Sequence, residues 1–310
     1  MRVWVWSAPL FALAGAGAGA WAYFGPKDVP LPGDLKGTLV YVSDRSGMDS
    51  LYCRRLPGGE DRRLTYLLEP VRDPSVSPDG KRVAFTMNGR VGVVSIDTGD
   101  VRFLTLGIDW KDNTPSWAPG ESRLVVAARR PGTANADLHL LDFDAAGAGT
   151  ARHPLTQTDG LDESAPAFSA DGKTVVFVRT DNLFRIDLKG ERTHRVTGGF
   201  RAARAPRFLP SGRIVYLWTQ AKVFGIDVVD ADGHNRETLA EGTAYYRSLA
   251  PSPDGRYFAA TLTYDLGFHV TDLVRLRQTE AVRLLDAHGR LVGELARSWR
   301  RSNHSASWGS

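Results

Sequence analysis

Short apolar runs, and not helical stripes, dominate the chain from Gly37 onward. Segments such as "KRVAFTMN", "RVGVVSID" and "RIVYLWTQ" are rich in Val, Ile, Phe and Tyr, and they are bounded by Gly, Asp and Pro. This pattern is typical of short β-strands, and no sustained period of 3.6 residues interrupts it. The pattern therefore predicts an all-β fold.

One phrase recurs along the chain at a regular spacing. "PSVSPDGKRVAF" begins at Pro74, and "PAFSADGKTVVF", "PRFLPSGRIVY" and "APSPDGRYFAA" begin at Pro166, Pro206 and Ala250, with a variant, "PSWAPGES", at Pro115. The copies are roughly forty to fifty residues apart, which is typical of repeat folds. Each unit also contains about four strand-like segments, the number in one blade of a β-propeller.

A turn lies at the centre of each phrase. In Ser-Pro-Asp-Gly, the proline presets φ, the aspartate suits the third position, and the glycine adopts a left-handed conformation that closes a bulged hairpin. We expect this corner to join the innermost strand of each blade to the next strand. The aspartates of the turn are therefore interpreted as structural, and positive φ is predicted at Gly80, Gly172, Gly212 and Gly255.

The two ends of the chain are predicted to share a blade. Residues 37–66 resemble the outer part of a blade but lack the turn phrase, and the C-terminal "SASWGS" matches "PSWAPG" at Pro115. We predict a six-bladed β-propeller over residues 37–310, in which residues 306–310 form, in parallel order, the inner strand of the N-terminal blade. Such closure hides the sheet edges.

The repeated phrase, with blades that end in Leu-Thr or Val-Thr, resembles the TolB-type propeller repeat, also called the WD40-like or PD40 repeat. The resemblance covers roughly residues 37–310 and implies a propeller that binds protein partners in the cell envelope. The family also includes propellers attached to serine peptidases and some lyases. Its TolB members have an extra α/β domain before the propeller, and residues 1–36 are too short to form one.

Composition and charge narrow the class of partner. The 310-residue chain has 42% apolar and 24% charged residues, and its formal net charge is +4. A small net charge without a basic, aromatic-rich segment predicts no binding to nucleic acid. The single cysteine, Cys53, excludes a disulfide framework within the chain.

The N-terminal segment differs from the rest. Residues 1–25 contain Arg2, an uncharged stretch from Val3 to Phe24, and an Ala-Gly-Ala exit, which is the form of a secretory signal. The apolar stretch is also about long enough to span a bilayer uncut. We therefore expect export, with either a cleaved signal or a membrane anchor, followed by a linker over residues 26–36.

Candidate ligand-binding residues precede the predicted inner strands, because these loops surround the mouth of a propeller channel. They form a mixed-charge set: Asp73, Asn113, Glu163, Arg204, Arg247 and His304. We expect them to converge on one opening. Such a mouth suits a peptide end or a sugar, and the alternative is a solvated surface that binds nothing.

A second candidate is the insertion in the last unit, residues 263–280, because loops on a rigid scaffold often bind partners. Its candidate partner-binding residues are Tyr264, Phe268, His269, Arg275 and Arg277. The alternative is a self-packed hairpin. No histidine pair has the spacing of a metal site, and no Gly-x-Ser-x-Gly motif occurs, so we predict no metal, no cofactor and no catalytic residue.

These patterns favour an exported, monomeric, non-catalytic propeller that binds a protein or an envelope component. The alternatives are a lyase or lactonase that acts on a sugar or peptide at the channel mouth, and a sensor domain held by an uncut anchor.

Overall fold

A computed structural model describes residues 31–120, 122–144, 150–189, 192–264, 279–298 and 303–310. For residues 264, 279–280, 296–298 and 303–304, it describes the backbone alone. Within these ranges the chain forms six sheets of four strands each. The sheets are the blades of a six-bladed β-propeller, which confirms the predicted all-β architecture.

Each blade is an antiparallel meander of four strands, named below from the innermost strand outward. Blade 1 has β24 (Asn303–Gly309), β1 (Thr38–Ser43), β2 (Ser50–Arg55) and β3 (Arg62–Arg63). Blade 2 has β4 (Val71–Val76), β5 (Arg82–Met87), β6 (Arg90–Ser95) and β7 (Val101–Phe103). Blade 3 has β8 (Lys111–Trp117), β9 (Arg123–Arg129), β10 (Asp137–Asp142) and β11 (Ala151–Pro154). Blade 4 has β12 (Glu163–Phe168), β13 (Thr174–Arg179), β14 (Asn182–Asp187) and β15 (Thr193–Arg195). Blade 5 has β16 (Ala202–Phe208), β17 (Ile214–Gln220), β18 (Val223–Val229) and β19 (Glu237–Gly242). Blade 6 has β20 (Tyr245–Pro251), β21 (Tyr257–Tyr264), β22 (Thr279–Asp286) and β23 (Leu291–Ser298).

The C-terminal strand closes the ring, as predicted, but in the opposite direction. Strand β24 pairs with β1, with Trp308 opposite Leu39 and Ser307 opposite Val40. The pairing is antiparallel, so the predicted parallel order was wrong. The physical reason is that β24 takes the place of an inner strand, and an inner strand runs antiparallel to the second strand of its blade.

The apolar core is divided among the seams between neighbouring blades. Each seam takes alternate residues of the strands on either side, so Phe85 faces the seam with blade 1 while Ala84 faces the seam with blade 3. Val126 and Val125 likewise face the two seams of blade 3. Because both faces of each blade are buried, the second strands have nearly continuous apolar sequences.

The corner turns have the predicted conformation. Gly80, Gly172, Gly212 and Gly255 have φ values of 69°, 69°, 81° and 72°. In blade 2 the Gly80 N–H donates to the Ser77 carbonyl at 2.9 Å, and the side chain of Asp79 accepts from the Ser77 hydroxyl at 2.5 Å. The aspartate thus stabilises the turn, as the sequence pattern indicates.

An irregularity recurs within the inner strands. A left-handed residue stands just before the Pro position at Asp73, Thr114, Ala165, Ala205 and Ser305, with φ between 47° and 52°. The pairing register shifts at the same points, which is the mark of a β-bulge. The bulge changes the direction in which the following side chains point, and those side chains line the central channel.

Candidate functional site in the central channel

The two ends of the channel are lined by different loops, because the inner strands of all blades run in the same direction. The loops that precede the inner strands lie at one end, which we call the entry end. The corner turns of the repeated phrase lie at the other, the corner end. A cavity of about 410 Å³ opens among the corner turns, and residues of all six blades line it.

One residue per blade occupies the same position in the wall of this cavity, directly after the Pro position of the repeat. The residues at this position are Ser75, Ser116, Ala167, Arg207, Ala250 and Ser307. Five are small, as expected where six strands approach a common axis. Arg207 is the single charged side chain of this ring.

Arg207 forms no ion pair with a carboxylate in the described residues. Its Nη1 donates a hydrogen bond to the Pro206 carbonyl at 2.8 Å. Within the part of the chain that the structure describes, no carboxylate oxygen lies within 4.0 Å of its guanidinium. Burial lowers the pKa of Arg207, and the negative charge of Asp73 acts in the opposite direction.

The wall around Arg207 is otherwise apolar or hydroxyl-bearing. Trp117, Phe168, Phe208 and Trp308 occupy the next position along the inner strands of their blades. The prolines of the corner turns lie farther out: Pro78, Pro119, Pro210 and Pro253. The corner end is therefore a cavity with an apolar rim and one half-buried cationic group.

The predicted entry-end residues lie one per blade on the inner strands, at or just before the bulges. Asp73 accepts a hydrogen bond from the Thr86 hydroxyl at 2.8 Å and, across the seam, a longer one from the Thr114 N–H at 3.4 Å. Asn113 is exposed, and its amide contacts only the Lys111 carbonyl, at 3.5 Å. Asp73 thus links two blades, whereas Asn113 is presented to solvent.

Two further predicted residues, Glu163 and Arg204, have side-chain partners within the fold. Glu163 is fully buried and accepts from Arg179 at 2.6 Å and also from the Thr156 hydroxyl. Arg204 donates to Tyr245 of the next blade and, at 2.9 Å, to the Thr219 hydroxyl. Burial raises the pKa of Glu163, while its bonds to Thr156 and Arg179 act against the rise.

Arg247 and His304 lie on the remaining two inner strands. Arg247 is exposed and donates to the Thr263 hydroxyl at 3.0 Å. His304 is placed on β24 opposite Val42, and its side chain lies outside the described residues. The convergence of the entry-end residues on one ligand stays a prediction.

The insertion residues fall mostly beyond what the structure describes. Phe268, His269, Arg275 and Arg277 lie outside the described residues, and Tyr264 is described by its backbone alone. The last pair of the surrounding strands joins Tyr264 to Thr279. The insertion therefore connects the ends of two directly paired strands.

Sequence reasoning missed a second cavity, of about 720 Å³, beside blade 3. It is lined by Trp110, His139 and Arg152, and the ring centroids of Trp110 and His139 are 4.4 Å apart. Arg152 donates to both carboxylate oxygens of the buried Asp112 at 2.9 Å. No short motif links these residues, because pairing between strands brings them together.

Neither a metal cluster nor a membrane span is present in the part of the chain described. No group of three or more His, Cys, Asp or Glu side chains is arranged to hold a metal there. No helical stretch in those ranges has the length and apolar character needed to cross a bilayer.

Comparison with known proteins gives the same fold and a consistent set of relatives. No family model matches the chain. It is similar to the Protein TolB homolog of Chlorobium luteolum, with 32% identity over 142 residues, which are 45% of this chain and 31% of that protein. The propeller is TolB-like. The Tol-Pal system protein TolB of Francisella tularensis is 23% identical over 69% of this chain and 52% of its own length. The matches therefore span about a third to a half of these relatives.

Solved structures confirm the architecture of the TolB-like propeller. TolB from Acinetobacter baumannii superposes with a TM-score of 0.71 at 17% identity, over 96% of this chain and 71% of that one. An oligogalacturonate lyase in complex with manganese superposes with a TM-score of 0.56 at 14% identity, over 85% and 73%. At these identities the likeness concerns the fold alone.

Proposed function

We propose that this TolB-like propeller is a non-catalytic binding module for a protein partner in the cell envelope. The observation that carries the proposal is the likeness to TolB proteins, in sequence over 45% of the chain and in fold over nearly all of it. Because one relative is named as a Tol-Pal system protein, proteins of such a system are the first partners to test.

The location follows from the same reasoning. Residues 1–25 are proposed to direct export, as a cleaved signal or as an anchor, and residues 26–36 to connect them to the propeller. Their sequence has the form of a signal, and one relative is named as a Tol-Pal system protein. The protein is thus proposed to work in the periplasm or at the envelope.

We do not extend the proposal to catalysis. A lyase or lactonase would need converging metal ligands or an activated nucleophile at the channel. The lyase likeness is one of fold, at 14% identity, whereas the relatives in sequence are named TolB. Fold by itself does not fix function.

The experiment is capture of envelope proteins on the purified propeller, repeated with purified Tol-Pal proteins of the same organism. Reversal of charge at Arg204 and Arg247 together should weaken capture at least tenfold if the entry end binds the partner, because both cations belong to the proposed entry-end site. Lys222→Glu is the matched control, since Lys222 is exposed on blade 5. Melting temperatures verify that each variant is folded.

A second variant separates the channel entry from the insertion. Residues 265–278 are replaced by Asn-Gly, which can join the paired ends Tyr264 and Thr279 in a two-residue hairpin. Capture that survives charge reversal but is lost in this variant would assign binding to the insertion. Failure of every envelope protein to bind the intact propeller would contradict the proposed function.

A further inference from the structure

One position of the repeat has a different kind of residue in blade 5 from that in the other five blades. In the ring of six residues that follow the Pro position, three blades have serine, two have alanine, and blade 5 has Arg207. The fold therefore builds this position five times without a charge. An arginine is not needed for blade geometry, and its presence in blade 5 calls for another explanation.

Two other half-buried arginines of the described residues lie against carboxylates, whereas Arg207 does not. Arg152 is paired with Asp112 at 2.9 Å, and Arg179 with Glu163 at 2.6 Å, and both carboxylates are fully buried. Partial removal of a cation from water without a partner is unfavourable, so such charges are commonly paired. In the described residues Arg207 has only the Pro206 carbonyl as a hydrogen-bond acceptor.

Hydroxyl groups lie in the same ring as Arg207, on blades 1, 2 and 3. Ser75, Ser116 and Ser307 line the same cavity and are half-buried. The Ser307 oxygen accepts a hydrogen bond from the Val76 N–H at 2.9 Å, which leaves its own O–H able to donate. The N–H groups of a guanidinium and the O–H groups of serines can together donate hydrogen bonds to the oxygens of a planar anion, above all a carboxylate.

The size and rim of the cavity favour a peptide over a free ion. About 410 Å³ lies at the lower end of ligand pockets and far exceeds the need of a single carboxylate. The rim carries prolines of several corner turns together with Trp117 and Trp308. Such an apolar wall packs against the backbone and aliphatic atoms of an extended chain, while the arginine binds its charged end.

We propose that the corner end of the channel binds an acidic side chain of an extended peptide, with Arg207 as the group that binds its carboxylate. The proposal rests on the proposed function, in that it names the chemistry of a bound protein segment. It places this segment at the end of the channel opposite the predicted entry-end residues.

The test uses two libraries of capped hexapeptides, identical except for Asp or Asn at the third position. Each is passed over the immobilised full-length protein, and retained peptides are quantified by mass spectrometry. The wild type should retain the Asp library at least tenfold better than the Asn library. Arg207→Ala should lose this preference, and Arg207→Lys should keep only part of it, because lysine lacks the planar fork.

The controls are matched to the fold. Alanine already occupies the equivalent position at Ala167 and Ala250, so Arg207→Ala should fold, as its melting temperature will verify. Lys222→Ala removes the same charge from an exposed site of the same blade and should keep the preference.

Two results would overturn the proposal. One is equal retention of both libraries by the wild type. This result would overturn the proposal even if NMR showed that acetate or succinate shifts the Nε–H resonance of Arg207, because a free anion is not a peptide side chain. The other is an Asp preference that persists in Arg207→Ala. Neither result depends on capture of envelope proteins, so this inference and the proposed function fail separately.

Discussion

The imidazole of His139 is buried in β10, against Trp110 and near two arginines. Burial is the largest cause that lowers its pKa to about 4; Arg152 and Arg130 add to the effect, and Asp137 opposes it. Its Nδ1 has no hydrogen-bond partner in the described residues. The ring is therefore neutral in the folded protein at neutral pH.

This burial predicts a loss of stability on acidification. Between pH 6.5 and about 4, the unfolded chain binds a proton at His139 and the folded protein does not, so the free energy of unfolding falls as the pH falls. The loss of unfolding free energy that is due to His139 reaches roughly 3 kcal/mol below pH 4, because each unit of pKa shift corresponds to about 1.4 kcal/mol. Urea unfolding of His139→Leu across this range should show a shallower pH dependence than the wild type.

A control separates His139 from other titrating groups, since buried carboxylates such as Asp112 and Glu163 change charge at acidic pH as well. His194 is exposed on β15, so His194→Leu should give a curve parallel to that of the wild type. A His139→Leu curve that also runs parallel would show that the burial of this ring has no energetic effect on folding.

The corner turn is the element that the sequence describes best. Its glycines have positive φ in four blades, so a Cβ is strained at each one. The space that the neighbouring blade leaves beside each glycine differs, however. A Cβ at Gly212 meets nothing within 4 Å, whereas at Gly255 it would lie 2.9 Å from Pro210 and at Gly80 against the Ser310 carbonyl.

Alanine substitution should therefore give graded losses of stability. Gly212→Ala should lower the free energy of unfolding by about 1 kcal/mol, which is the backbone cost alone. Gly255→Ala and Gly80→Ala should cost more, because Pro210 of blade 5 or the closing strand must also shift. Chemical denaturation measures the three differences. Equal losses, or two losses near zero, would contradict the corner geometry.

Local patterns predict elements well and contacts between blades poorly. The strands, the corners and the shared blade follow from apolar runs and turn residues that lie within a few positions of one another. The left-handed φ of Asp73 or Thr114 is not visible in this way, because both residues precede a proline like many others. Likewise, the direction of β24 depends on the meander as a whole and not on the match of "SASWGS" to "PSWAPG".

The same limit applies to the candidate site. Glu163 looks like a ligand-binding residue in the sequence, yet Arg179, sixteen positions later, pairs with it across two strands. The segment "PRFLPSG" does not reveal that Arg207 lacks a carboxylate partner in the described residues, because its surroundings are formed by neighbouring blades. Charge compensation in a propeller is decided across strands and seams, which a single repeat unit does not contain.

At the scale of the whole molecule, stability depends on closure of the ring. The apolar clusters lie between blades, so each blade relies on both neighbours for its core. The seam between blades 6 and 1 is joined by β24, whose Trp308 donates its Nε1–H to the Lys36 carbonyl at 2.9 Å. Trp117, at the matching position of β8, donates its Nε1–H to the Ser75 carbonyl of blade 2 at 2.8 Å.

Substitution of these two tryptophans allows the effect of ring closure on stability to be separated from the effect of local packing. Trp308→Ala and Trp117→Ala should each lower the free energy of unfolding by about 3–5 kcal/mol, since each leaves a large cavity and an unpaired carbonyl. Removal of residues 303–310 should cost clearly more than Trp308→Ala, because it also exposes the edge of β1 and the apolar seam with blade 6. Urea unfolding compares the three variants, and light scattering detects association through the new edge. A truncated protein as stable as Trp308→Ala, and still monomeric, would mean that the tryptophan alone closes the ring and that the strand around it adds nothing.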